Sequence, residues 1–174
     1  MKKVLITGGT RGIGKGIALA FQKKNYDVYA VYEKNAFAAA ELEKLGIKTL
    51  CADVSKEEDV KRVFSIVGDV DILVNNAGVS LIKQVQDVTY KEWQRVFSVN
   101  VGGAFLCARE AVKGMISKKK RTYRQYLFRL GGSGRKLRKR LRFVQSGFAR
   151  LYEIARQRTW LFWDSCKYRF AGRY

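Results

Sequence analysis

Residues 4–14 read VLITGGTRGIG, a short apolar run followed by a glycine-rich loop, and a helical spacing of apolar residues continues from Ile13 to Phe21. This order predicts a strand, a tight loop and a helix N-terminus. Glycines let the loop turn sharply and let phosphates approach the backbone, while the helix offers free N–H groups and the positive end of its dipole. A plain turn is the alternative, but the flanking strand and helix favour a pyrophosphate-binding loop.

Length and composition exclude several classes of protein. The 174 residues suffice for one domain with a hydrophobic core. No apolar run reaches the length of a membrane span, and no secretory signal is visible, so we expect a cytoplasmic protein with no membrane partner. There is no histidine, and Cys51, Cys107 and Cys166 are widely separated, which predicts buried or idle thiols and no metal site.

The composition changes near residues 118–120, a run of three lysines. The chain has a formal net charge of +20 and no proline, although about 5% proline is usual. Residues 121–174 hold 15 of the 35 Lys and Arg but only 2 of the 15 Asp and Glu. The sequence therefore divides into a segment of ordinary composition, 1–120, and a basic aromatic tail, 121–174.

Strands and helices alternate along the first segment. The predicted strands cover residues 2–6, 27–32, 47–52 and 71–75. The first two predicted helices cover residues 12–24 and 36–45, and a third is opened by a capping box of Ser55 and Glu58. Further helical patterns begin at residue 89 and cover residues 100–117. Because the fourth strand is apolar on both faces, and strands alternate with helices, we predict an α/β fold with a doubly wound parallel sheet.

Two further motifs follow strands of the predicted sheet. Asp53 and Val54 come just after the third strand, where a carboxylate could accept a hydrogen bond from an adenine amino group or simply serve helix entry. Residues 75–78, NNAG, end the fourth strand, where small residues let a flat ring pack against backbone. Ligands of open α/β sheets bind outside the carboxyl ends of the strands, so both motifs are suitably placed.

These motifs together resemble the short-chain dehydrogenase/reductase family over residues 1–120, and most of all its 3-oxoacyl-[acyl-carrier-protein] reductases. The resemblance rests on TGxxxGxG at 7–14, DV at 53–54, NNAG at 75–78 and SVNV at 98–101. It implies a Rossmann-type fold, incomplete here, with about four native strands plus a non-family basic tail. The residues that it places at the cofactor are Thr7, Gly8, Thr10, Arg11, Gly12, Ile13, Gly14, Asp53, Val54, Asn76, Ala77 and Gly78.

The resemblance also implies an activity, NAD(P)H-dependent reduction of ketones by hydride transfer. The implied substrates are small-molecule or carrier-protein-bound carbonyls, such as the 3-oxoacyl thioesters of fatty acid biosynthesis, and intact relatives are homo-oligomers. Arg11 lies where NADP-preferring members often carry a basic residue, and a planar guanidinium suits a 2′-phosphate. The second strand ends in Tyr32-Glu33-Lys34 rather than in the Asp of NAD-preferring members, so NADP(H) is favoured, with NAD(H) as the alternative.

The family's chemistry needs a Ser on the fifth strand and a Tyr-x-x-x-Lys motif, in which the Tyr is the acid or base. No tyrosine of this chain has a lysine four positions after it. Asn100 matches the family's Asn that orders a proton-relay water, but Asn100 alone cannot supply the proton. We therefore predict that the chain, as written, does not reduce carbonyls.

The tail is interpreted as the family's second half translated in the wrong frame. Shifting each triplet by one base lets Leu141 become Tyr and Gln145 become Lys, which restores Tyr-x-x-x-Lys. Since tryptophan has a single codon, Trp160 and Trp163 must both become Gly, and both fall where the family has Gly. The adenine-rich codons of residues 118–120 are a place where an extra base is easily gained.

A binding function is the alternative for the same tail. Residues 135–142, RKLRKRLR, form a basic run that is followed by Tyr, Phe and Trp side chains. Such a cluster can neutralise phosphates and stack bases. It carries no motif of a known nucleic-acid-reading fold, so we expect at most non-specific, salt-sensitive nucleic-acid binding.

Overall fold

The computed structural model describes residues 1–117 of the chain. The predictions for the tail, including the shifted reading frame and the basic run, lie outside the described residues. Helices and strands alternate as β1 (Lys3–Thr7), α1 (Gly12–Gln22), β2 (Asp27–Tyr32), α2 (Ala36–Glu43), β3 (Lys48–Cys51), α3 (Glu57–Val67), β4 (Ile72–Val74), α4 (Tyr90–Phe97) and α5 (Ala104–Ser117). A short 3-10 helix (Val85–Asp87) precedes α4, and a π-helical turn (Ser98–Gly103) joins α4 to α5.

The four strands of the described residues form one parallel sheet in the order β3-β2-β1-β4. β1 lies at its centre, and Leu5 pairs with Tyr29 of β2 and with Leu73 of β4. The two strands that follow β1 lie on one side of it, and β4 lies on the other. This reversal of strand order at β1 confirms the predicted Rossmann-type α/β fold, incomplete at four strands.

The core lies on both faces of this sheet. Val4 and Ile6 of β1 face one cluster, which includes Ala18 of α1 and Leu42 of α2. Leu5, between them in the sequence, faces the opposite cluster, whose members also come from α3 and α5. Because successive strand residues point to opposite faces, one apolar strand supplies both cores.

The start of α3 differs from the prediction. Ser55 and Glu58 do not form a capping box: Lys56 is the N-cap, without a side-chain hydrogen bond. The Ser55 hydroxyl instead donates to Oδ1 of Asp53 at 2.7 Å. Oδ2 of Asp59 in turn accepts from the N–H of Asp53 at 2.8 Å. The hydrogen bond that the Ser55 hydroxyl donates to the ionised Asp53 carboxylate is stronger than the neutral bond that it would accept from a helix N–H. The hydroxyl therefore turns towards Asp53.

The helical patterns predicted from residue 89 and over 100–117 are both present. Thr89 caps α4 through a capping box with Glu92, a motif that the sequence carries as T-x-x-E. Lys83 Nζ lies 2.6 Å from Oε1 of Glu92, and this hydrogen bond, with those from Thr89, lowers the pKa of Glu92 to about 2. None of the helices within residues 1–117 has the length and apolar character needed to cross a membrane.

Candidate functional site

A cleft of about 750 Å³ opens at the carboxyl edge of the sheet. In a parallel sheet all strands end at the same edge, so the loops after β1, β2, β3 and β4 meet there. The cleft is lined by the predicted residues Gly8, Thr10, Arg11, Gly12, Ile13, Gly14, Asp53, Val54, Asn76, Ala77 and Gly78. Thr7, the remaining predicted cofactor residue, is buried at the end of β1.

The glycine-rich loop presents a helix N-terminus to the cleft. Gly8 and Gly12 adopt φ values of +63° and +52°, a region that L side chains rarely enter. The N-cap of α1, Arg11, makes no side-chain hydrogen bond to the first turn, so the N–H groups there are left for a ligand. A Cβ built on Gly12 would meet no protein atom within 4 Å, which shows open space beside this backbone. An anionic pyrophosphate fits these features.

Hydrogen bonds tie the loop after β4 to the glycine-rich loop. Nδ2 of Asn76 donates to the carbonyl oxygens of Thr7 at 3.0 Å and Gly8 at 2.9 Å. Oγ1 of Thr7 accepts the N–H groups of Asn76 and Ala77, both at 3.0 Å. Four hydrogen bonds therefore join the two loops at the floor of the cleft.

Asp53 makes the contacts of a helix-entry residue. Its Oδ1 accepts the N–H of Ser55 at 3.0 Å as well as the hydroxyl, and its Oδ2 accepts from Nη1 of Arg95 at 3.0 Å. Burial alone would raise the pKa of Asp53, but the bonds from Ser55 and the Arg95 guanidinium outweigh burial and hold it below its ordinary value. A contact with adenine stays a prediction.

Asp53→Asn is expected to change the pH dependence of stability. The folded pKa lies below the ordinary value of 3.8, so the ionised carboxylate stabilises the fold above that pH, and its contribution is lost as the pH falls through the folded pKa. We expect Asp53→Asn to lower the free energy of unfolding at pH 7 by about 1–2 kcal/mol and to flatten its decline below about pH 4. Urea unfolding at a series of pH values measures both quantities.

The matched control is Glu41→Gln, which removes a carboxylate from an exposed pair with Lys44 on α2. Its effect at pH 7 is expected to stay within about 0.5 kcal/mol. A decline below pH 4 that is as steep in Asp53→Asn as in the wild type would contradict the role given to the Asp53 carboxylate.

Asn100 lies in the π-helical turn, a distortion that occurs frequently at functional sites. Both polar atoms of its side chain contact one residue: Oδ1 accepts the N–H of Val79 at 2.8 Å, and Nδ2 donates to the Val79 carbonyl at 2.9 Å. Val79 lines the cleft directly after the NNAG motif. Asn100 therefore positions the cleft wall, and its part in ordering a water stays a prediction.

Arg95 does not line the cleft but contacts two residues that do, and the sequence did not reveal it. It lies on α4, and its guanidinium reaches the loops after β2 and β3, where it contacts Glu33 and Asp53. Asp53 is 42 positions away along the chain, and no local pattern connects the two. Only the fold brings residues so distant in the chain into contact.

Comparison with known proteins gives a consistent result. Residues 2–122 match the family model of the short chain dehydrogenases. The chain is 41% identical over 129 residues to the uncharacterized oxidoreductase YgfF of Escherichia coli, an alignment that covers 68% of this chain and 52% of that protein. It is 38% identical over 122 residues to the tetrahydroxynaphthalene reductase PfmaG of Pestalotiopsis fici, covering 64% of this chain and 44% of that protein.

A solved structure also resembles this chain. The crystal structure of the acetoin dehydrogenase YohF from Salmonella typhimurium has a TM-score of 0.62 and 28% sequence identity, and the match covers 72% of this chain and 53% of that one. The chain spans about half the length of the curated relatives that it matches.

Proposed function

The chain belongs to the short-chain dehydrogenase family of NAD(P)-dependent oxidoreductases, and from this we propose that its cleft binds a nicotinamide dinucleotide, with NADP(H) preferred. The observation that carries the proposal is the open helix N-terminus at the carboxyl edge of the sheet, between the loops after β1 and β4. Arg11 and Lys34 line the same cleft, and their positive charges favour a cofactor with a 2′-phosphate, NADP(H). Glu33 lies beside them and keeps NAD(H) as the alternative.

The residues of the cleft suggest how the cofactor lies. The N–H groups at the start of α1 would hold the pyrophosphate, Asp53 and Val54 would contact the adenine, and Ala77 and Gly78 would contact the rest of the dinucleotide. A nicotinamide cofactor supplies a hydride when it is bound. Thr7 and Asn76 hold the loops after β1 and β4 together, and Asn100 holds the wall of the cleft at Val79.

We also propose that the reaction of this chain's intact relatives is the reduction of a ketone, of the 3-oxoacyl thioester kind, and that this chain does not carry it out. Hydride addition to a carbonyl leaves an alkoxide that needs a proton. The Tyr-x-x-x-Lys motif that supplies it in the family is absent from the sequence. The cytoplasmic location, the homo-oligomer of intact relatives and the carrier-protein-bound substrate stay predictions.

Cofactor binding without carbonyl reduction is the expected behaviour of the full chain. We expect NADPH to bind, as titration calorimetry would measure, and we expect no NADPH oxidation above background when an acetoacetyl thioester is added. Failure to bind NADPH and NADH would contradict the cofactor proposal. Thioester-dependent NADPH oxidation would contradict the proposed inactivity, and the two results are read from separate assays.

The shifted reading frame is the explanation that we propose for the missing motif. It is tested by resequencing the gene through the codons of residues 118–120. One surplus base would restore the Ser, Tyr and Lys and with them a complete reductase. A confirmed reading would make the tail real and would overturn the frameshift hypothesis.

The second candidate function is a cofactor-binding fragment whose tail binds nucleic acid. The basic run at residues 135–142 favours it, since clustered cations neutralise phosphates. A shift of DNA mobility that is lost as salt is raised would support this function. DNA mobility that the protein leaves unchanged at low salt would exclude it.

A further inference from the structure

The guanidinium of Arg95 joins the ends of two neighbouring strands. Its Nη2 donates to Oε1 of Glu33 at 3.1 Å, just after β2. Its Nη1 donates to Oδ2 of Asp53 at 3.0 Å and to Oγ of Ser55 at 2.8 Å, just after β3. Arg95 belongs to α4, which follows both loops in the chain. Its side chain therefore connects three separate segments.

Both carboxylates that Arg95 contacts line the proposed cofactor cleft. Glu33 follows the second strand about 20 residues after Gly14, the place from which an acidic residue hydrogen-bonds a ribose 2′-OH in dinucleotide-binding folds. A 2′-phosphate at the same place meets the negative charges of Glu33 and Asp53. Their repulsion disfavours the phosphate unless a cation lies close by.

We propose that Arg95 is a specificity-determining residue for the cofactor: by pairing with Glu33 and Asp53, it lets the adenosine end of the cleft accept a 2′-phosphate. This inference rests on the proposed function and adds to it the residue that selects between the two cofactors. The charged residues that line this end of the cleft are two cations, Arg11 and Lys34, and two anions, Glu33 and Asp53, so their formal charges sum to zero. Arg95, which contacts both anions, raises the sum to +1.

The geometry also places the Glu33 carboxylate between two cations. The same oxygen, Oε1, faces Nη2 of Arg95 and lies 3.5 Å from Nζ of Lys34. A carboxylate held between two cations repels a phosphate less than a free one does. Arg95 thus acts through Glu33 and Asp53 as well as through its own positive charge.

The test compares two adenosine ligands that differ in the 2′-phosphate. We expect Arg95→Gln to weaken binding of 2′,5′-ADP to the full chain by roughly tenfold and binding of 5′-ADP by less than about twofold. Titration calorimetry measures both dissociation constants. Arg109→Gln is the matched control, since its partners Glu57, Glu110 and Phe105 do not line the cleft, and it should change neither constant.

Glu33→Gln tests the same idea without removing Arg95. We expect it to strengthen 2′,5′-ADP binding by about threefold, because it removes a negative charge from the exposed end of the cleft. In the Glu33→Gln background, Arg95→Gln should weaken binding less than it does alone. Thermal unfolding of each variant shows whether it is folded under the assay conditions.

The outcomes separate this inference from the proposed function. Equal weakening of both ligands by Arg95→Gln, or no gain from Glu33→Gln, would overturn the specificity role while leaving the cofactor site intact. A wild-type chain that binds neither ligand would overturn the proposed function and the inference with it.

Discussion

Replacing Gly14 with alanine is expected to abolish measurable cofactor binding and to lower the free energy of unfolding by about 2–3 kcal/mol. A Cβ at Gly14 would run into the carbonyl oxygen of Gly8 and would lie 2.6 Å from Nδ2 of Asn76. The first of these groups is backbone, which a rotamer change cannot move. The first turn of α1 would have to separate from the loops after β1 and β4, and the N–H groups proposed to meet the pyrophosphate would move with it.

The chain offers a matched control on the same helix. Gly16 is exposed, and a Cβ built there would meet no atom within 4 Å. Gly16→Ala is expected to leave NADPH binding unchanged and to stabilise the fold by about 0.5–1 kcal/mol, because alanine loses less backbone entropy in a helix. Calorimetric titration and urea unfolding of both variants would test the pair. NADPH affinity in Gly14→Ala within threefold of the wild type would contradict the close-packing argument.

Most of the fold follows from local patterns. An apolar strand with both faces buried, a glycine-rich loop and an amphipathic helix are each readable over about ten residues, and their alternation leaves little choice of topology. The strands β1 to β4 accordingly lie within one or two residues of the predicted ranges. The start of α3 could not be read this way, because Asp53, Ser55 and Asp59 satisfy one another in a local network that competes with a capping box.

The candidate site was predictable where it depends on backbone and less so where it depends on long side chains. Glycines and small residues mark the cleft because phosphates and rings need close approach to the main chain, and that requirement is written in the sequence. Arg95 and Asn100 show the limit. Arg95 connects loops that are far from it in the chain, and Asn100 hydrogen-bonds the backbone of Val79 through both polar atoms of its side chain. The partners of these two residues do not follow from sequence spacing alone.

Replacing Thr7 with valine is expected to destabilise the fold strongly, although the two side chains have nearly the same shape. Thr7 is 2% exposed, and its Oγ1 accepts the N–H groups of Asn76 and Ala77. A methyl group in its place leaves two partly buried N–H donors without this acceptor, and each such loss costs about 1–3 kcal/mol. We expect Thr7→Val to lower the free energy of unfolding by about 2–4 kcal/mol, measured by urea unfolding.

Thr7→Ser separates the hydroxyl from the methyl group of the same residue. Serine keeps the acceptor and loses one buried methyl, so its expected cost is about 1 kcal/mol, and NADPH binding should survive. Equal stability of the valine and serine variants would show that packing at Thr7, rather than its hydroxyl, holds the loop after β4. A large difference would mean that one buried oxygen atom joins the carboxyl ends of β1 and β4. That oxygen would then set the shape of the cleft on which cofactor binding depends.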